Sequence, residues 1–152
     1  LKLAEGLVLR ADTKKRIEQL RERLKSSALV QEGEEPPENP QELFAELQRL
    51  LEQMTMLVQR INRTNLQATL PDGRTLTTAL AERDTLSLYY NVLETTATAA
   101  TPKFDRAGRS EIKKVPTVKV ADLRRQLDEV ARQRRELDTL IQAANWTTDL
   151  LD

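Results

Sequence analysis

The sequence predicts an all-α protein, and three observations predict it. Helix-breaking residues gather at a few places, apolar residues recur at spacings of three and four between them, and Leu, Ala, Glu, Arg and Gln fill the intervals. Pro36, Pro37 and Pro40 cluster with Gly33, Pro71 sits beside Gly73, and Pro102 and Pro116 bracket Gly108. Proline inside a helix removes a hydrogen bond and clashes with the preceding turn, and glycine costs about 1 kcal/mol there relative to alanine. Three breaks leave four long helices, approximately Leu3 to Leu29, Gln41 to Asn65, Thr77 to Ala100 and Val120 to Ala144. The expected architecture is an antiparallel bundle of two helical hairpins with coiled-coil-like seams, a single helical domain over residues 1–152.

The first helix changes character along its length. It is wide and apolar at Leu3, Ala4, Leu7, Val8 and Ala11, then narrow at Ile17, Leu20 and Leu24, and Gly6 is the one glycine inside a helical stretch. The second helix has the clearest period, with Leu43, Leu47, Leu50, Met54, Leu57 and Ile61 alternating in steps of four and three, which is a heptad seam. Beside it Phe44, Leu51 and Val58 form a second stripe at sevens, so two sides of this helix need cover. The third carries Leu80, Leu86, Tyr90, Leu93 and Ala97. The fourth is a single seam of Val120, Leu123, Leu127, Val130, Leu137 and Ile141, interrupted by Arg134.

The connections are unlike one another. Residues 67–76, QATLPDGRTL, place Pro71, Asp72 and Gly73 between two short β-prone arms, which predicts a small β-hairpin. Thr77 or Thr78 is then the expected cap of the third helix, with Glu82 near its first turn. A long loop follows over 101–119, whose end, KKVPTVKV, is extended and is a candidate third strand confined to an edge by Pro116.

Charge sums to zero, with 24 Lys and Arg against 24 Asp and Glu, so no global field names a nucleic-acid or anionic-membrane partner. Cys and His are absent, which excludes disulfides, zinc sites built on Cys or His, Cys-His nucleophiles and histidine acid-base chemistry. No apolar run approaches the roughly 20 residues of a membrane-spanning helix, and the expected localisation is cytoplasmic. Phosphate-cradling glycine loops, G-x-S-x-G and H-E-x-x-H are missing, so the chain is read as no enzyme, with no catalytic, metal or cofactor-binding residues and no cofactor.

Several clusters remain. The acidic run Glu32, Glu34, Glu35, Glu38, Glu42 and Glu46 lacks the spacing of a calcium loop and reads as a solvated approach to a helix N-terminus. Lys103, Arg106, Arg109, Lys113 and Lys114 are the candidate nucleic-acid contacts, but with only Phe104 interleaved they offer few stacking platforms. Pairs four apart on the fourth helix, Arg125 with Glu129, Asp128 with Arg132, Arg132 with Glu136 and Arg134 with Asp138, predict a neutralised face. Asn62, Asn65, Arg134 and Asn145 interrupt apolar patterns and are candidates for a polar network, with Arg134 expected opposite a carboxylate of a neighbouring helix. Trp146 is the expected anchor against a neighbouring helix or subunit.

The segments LKLAEGLVLRAD, INRTN, LPDGRTLTTALAERD, RSEIKKVPTV and NWTTDLLD, in this order over nearly the whole chain, resemble a family of small bacterial proteins often labelled septicolysin. That resemblance implies an all-helical bacterial protein without a known activity or site. In the family pattern an acidic or polar residue often stands where this chain has Lys119, which leaves the start of the fourth helix to Asp122 or to the backbone.

The apolar stripes exceed what one four-helix core needs. The expected function is therefore that of a non-enzymatic scaffold or adaptor that forms a homo-oligomer, with Leu3, Leu7, Val8, Phe44, Leu51, Val58 and Trp146 as candidate oligomer or partner contacts. An unidentified protein partner fits the same reading, whereas nucleic acid and membrane are not the expected partners. Two alternatives stay open: a cytolysin-like membrane-active protein, from the family label alone, and an RNA- or ribosome-associated protein using the basic 103–119 segment.

Overall fold

The computed structural model describes residues 1–102 and 112–152. It contains α1 (Leu3–Ser27), α2 (Pro40–Gln67), α3 (Leu76–Ala100) and α4 (Val120–Thr147). No β-strand forms among the described residues. Each helix starts within a residue of its expected first position, because the breakers and first-turn residues act locally. The Asn39 side chain accepts from the Gln41 N–H at 2.9 Å, with Pro40 at the first helical position, where its missing donor costs nothing. Glu5 folds back onto the Lys2 N–H at 2.6 Å and closes the start of α1. At α4 the Lys119 carbonyl accepts from the Leu123 N–H, while the Asp122 carboxylate is held by Arg125.

The chain gathers into two compact units, one of Leu1–Leu76 with Gln142–Asp152 and one of Thr77–Ile141. In the first, Leu20 of α1 meets Leu43 and Leu50 of α2, flanked by Ile17, Leu24 and Leu47. The heptad seam of α2 is thus the core face, and each Leu buried there contributes about 2 kcal/mol. In the second unit Leu93 of α3 packs with Leu127 and Val130 of α4, flanked by Leu86, Tyr90 and Leu123.

The expected hairpin over 67–76 does not form. Helix α2 runs to Gln67 and α3 starts at Leu76, so each helix takes only the outermost residue of its arm, and the short arms that remain close one isolated antiparallel bridge, Thr69 with Thr75, instead of paired strands. The turn itself is present. The Gly73 N–H donates to the Leu70 carbonyl at 2.9 Å, the Asp72 carboxylate accepts from the Arg74 N–H, and Gly73 takes a positive φ of 91°. Because α3 begins at Leu76, Thr77 and Thr78 lie inside its first turn rather than before it. Residues 112–119 form no β-bridge, so the candidate third strand is also absent.

Candidate interaction surfaces

The second stripe of α2 belongs to a longer strip. At 100° per residue, Phe44, Gln48, Leu51, Thr55, Val58, Asn62 and Leu66 stay within a sector about 80° wide and follow one another for about 33 Å. All are exposed except Val58, which is half-buried, and Phe44, Leu51 and Leu66 are 51%, 41% and 63% exposed. The charged residues of α2, Glu42, Glu46, Arg49, Glu52, Arg60 and Arg63, all fall outside this sector. In a chain that is 32% charged, an uncharged strip with three bulky apolar side chains has the composition of an interface centre.

The other candidate contacts are dispersed. Leu3 is completely buried and offers nothing to a partner, Leu7 is half-buried, and Val8 is exposed together with Leu9. Trp146 occupies the last turn of α4 and is 61% exposed, so it is not an anchor within its own chain. A further apolar group on α3, Leu88, Tyr89 and Val92, is exposed and lies apart from the expected stripe of that helix. The sequence held the signal, since these positions avoid the Leu86, Tyr90 and Leu93 face.

The proposed polar network does not form. Asn62 is exposed, Asn65 half-buried and Asn145 buried, with no hydrogen bond joining them, and Arg134 belongs to the other unit. Arg134 lies over the ring of Tyr90, 5.1 Å from its centroid, rather than against a carboxylate. The expected partner Asp138 accepts instead from Arg83 of α3 at 2.9 Å. Of the four-apart pairs on α4 only Arg132 with Glu136 forms; Arg132 also grips Glu129, and Arg125 turns back to Asp122. The paired Arg132 guanidinium holds the Glu129 carboxyl below its ordinary range and is itself pushed up by the two carboxylates.

The polar residue that matters in INRTN is Thr64, which is 1% exposed. Its hydroxyl donates to the Arg60 carbonyl at 2.8 Å and accepts from the Leu151 N–H at 3.0 Å. Arg60 Nε donates to the Leu151 carbonyl at 2.9 Å, and Arg63 Nη1 donates to the Asp152 carbonyl at 2.6 Å. On the other side the Leu3 N–H donates to the Thr148 carbonyl, the Leu150 N–H donates to the Leu1 carbonyl, and Lys2 Nζ reaches Asp149 at 2.7 Å. Lys2 holds the Asp149 carboxyl below its ordinary value, chiefly through this hydrogen bond. Residues 148–152 are therefore clasped between the start of α1 and the end of α2. Sequence reasoning missed the clasp because its partners are mostly backbone groups, which leave no pattern.

Among the acidic residues, Glu38 makes a two-pronged contact with Arg23, at 2.9 and 2.5 Å, which holds its carboxyl below the ordinary range. Glu32, Glu34 and Glu35 are exposed, and no metal-holding group of three or more acidic residues occurs among the described residues. Lys113 and Lys114 are exposed, while Lys103, Arg106 and Arg109 lie outside the described residues. No described helix is long and apolar enough to cross a membrane.

Comparison with known proteins agrees with this architecture. Residues 10–150 match the model of a family described as a family of unknown function, DUF6847. The chain belongs to this family. This DUF6847 chain is also similar to a crystal structure of a functionally unknown conserved protein from Corynebacterium diphtheriae. The TM-score is 0.93 and the identity 40%, over 99% of this chain and 98% of that one. No curated protein matches the sequence. The family match is to DUF6847 alone and carries no information on the septicolysin label.

Proposed function

We propose that the protein is a non-enzymatic, self-associating helical scaffold or adaptor whose helical hairpins present a face for another chain. The observation that carries this reading is the uncharged strip on α2. Exposed bulky apolar residues scattered singly are ordinary, but Phe44, Leu51 and Leu66 share one face with only Gln48, Thr55, Val58 and Asn62 between them. Charged residues are depleted at the centres of protein interfaces, and this face has none. A strip about 33 Å by 10 Å has a footprint of a few hundred Å2 per protomer, at the small end for specific association, so the expected complex is reversible and concentration-dependent.

Sedimentation velocity over a range of protein concentrations tests the proposal. The expected result is a monomer at low concentration that shifts to a discrete larger species. Leu51→Glu, which places a charge at the strip's middle, should abolish the shift while leaving helix content by circular dichroism unchanged. A chain that stays monomeric at every concentration, or a Leu51→Glu variant that associates as well as the parent, removes the reading.

A further inference from the structure

The strip on α2 reads the same from both ends. From Phe44 the order is apolar, amide, aliphatic, hydroxyl, aliphatic, amide, apolar, ending at Leu66. Its midpoints coincide: Phe44 with Leu66 and Gln48 with Asn62 both centre on residue 55, and Leu51 with Val58 centres within about 1 Å of it at 1.5 Å per residue. A two-fold axis at residue 55 converts this order into pairs of like kind, apolar against apolar and amide against amide, because in an isologous contact residue i meets j while j meets i. An unrelated partner imposes no such symmetry on the helix it binds.

Resting on the proposed self-association, we infer that the occupant of this strip is α2 of a second copy, lying antiparallel across a two-fold axis at Thr55. In that arrangement Phe44 of each protomer lies by Leu66 of the other, and Gln48 by Asn62. Each amide then faces another amide, which both donates and accepts, so the polar positions are satisfied without charge. The approach meets no like-charge repulsion, since neither copy contributes a charge. The α3 group of Leu88, Tyr89 and Val92 is shorter and has no matching second half.

The absence of cysteine from the sequence makes the geometry directly readable. Single-cysteine variants Thr55→Cys, Gln48→Cys and Asn62→Cys are all at exposed positions, and Met56→Cys, exposed on another side of α2, serves as control. Disulfides need Cα atoms within about 7 Å. In the antiparallel pair the two residues 48 are about 21 Å apart along the helices, and so are the two residues 62. Mild oxidation followed by non-reducing gel electrophoresis should therefore yield a Thr55→Cys dimer and a dimer from mixed Gln48→Cys and Asn62→Cys. Gln48→Cys alone, Asn62→Cys alone and Met56→Cys should yield none. Self-linking of all three strip variants means parallel strips and overturns the inference while leaving self-association standing. A sedimenting dimer with no strip cross-link overturns it in favour of another face. A strict monomer overturns both.

Discussion

Leu150 occupies the space in which a side chain at residue 6 would stand: a Cβ on Gly6 would lie 2.8 Å from Leu150 Cδ2. This close approach explains the one glycine inside α1, at a position where helix propensity alone favours alanine by about 1 kcal/mol. Leu150→Ala is expected to destabilise by about 2–4 kcal/mol, as deletion of a buried Leu does. Gly6→Ala should gain about 1 kcal/mol in that background and lose the gain in the parent, where Leu150 must shift. Urea unfolding of the four proteins measures the coupling, and strict additivity would show that the contact is not what keeps the glycine.

Thr64 supports the clasp through both functions of its hydroxyl. Thr64→Val keeps the shape but removes the acceptor of the Leu151 N–H, and is expected to cost about 1–3 kcal/mol. Hydrogen exchange at the Leu151 amide should accelerate in the same variant, while Thr64→Ser stays close to the parent. Unchanged exchange at Leu151 in Thr64→Val would mean that the remaining contacts, those of Leu1, Lys2, Leu3, Arg60 and Arg63, hold the tail without the Thr64 hydroxyl.

The clasp is expected to weaken in acid. The Lys2 hydrogen bond holds Asp149 below its ordinary value, so the folded state binds its proton less tightly than the unfolded state does. Its stabilising contribution is present above the ordinary carboxylate range, near pH 4, and is lost as pH falls through the lower folded value. Glu38 with Arg23 follows the same sign. An NMR titration of the 148–152 amides should report loosening only below about pH 4, and Asp149→Asn should remove that component. Loosening that begins near neutrality would point to a different group.

Arg134 and Tyr90 interact through the ring face, 5.1 Å from guanidinium carbon to centroid. Arg134→Met retains an apolar stem and is expected to lose about 0.5–1 kcal/mol. In the Tyr90→Leu background the same change should cost nothing. An equal cost in both backgrounds, measured by thermal unfolding, would assign the effect to packing instead.

What the sequence disclosed was whatever depends on neighbours. Pro40 marks the start of α2, and the alternation from Leu43 to Ile61 marks its core face, because each signal acts within a turn or two of its own helix. Gly6 was conspicuous, yet its reason stands at Leu150, beyond any local pattern. Arg134 was likewise conspicuous as a break in a seam, but whether it meets a carboxylate or a ring depends on which α3 residue faces it, and Asp138 is taken by Arg83. At 67–76 the turn chemistry of Pro71, Asp72 and Gly73 was legible; what could not be read was that the short arms left between α2 and α3 would close only a single bridge. The exposed strip on α2 was half legible. Phe44, Leu51 and Val58 stood out as apolar, whereas Gln48, Thr55 and Asn62 gain meaning only from sharing their exposed face.

The clasp also orders events during synthesis. It joins Lys2 to Asp149 across 147 positions, and closing a loop of that size costs about 4 kcal/mol of chain entropy. The α1–α2 pair is assembled from segments near one another in the chain and can form early, but the residues from Gln142 onward that complete its unit are translated after all of Thr77–Ile141. At ribosomal rates of about 5–20 residues per second, the groove beside Gly6 and the Arg60–Thr64 end of α2 stand open for about 4–15 s before their own tail arrives. During that interval a nascent chain presents to chaperones, and to neighbouring nascent copies, a surface that the finished protein has closed.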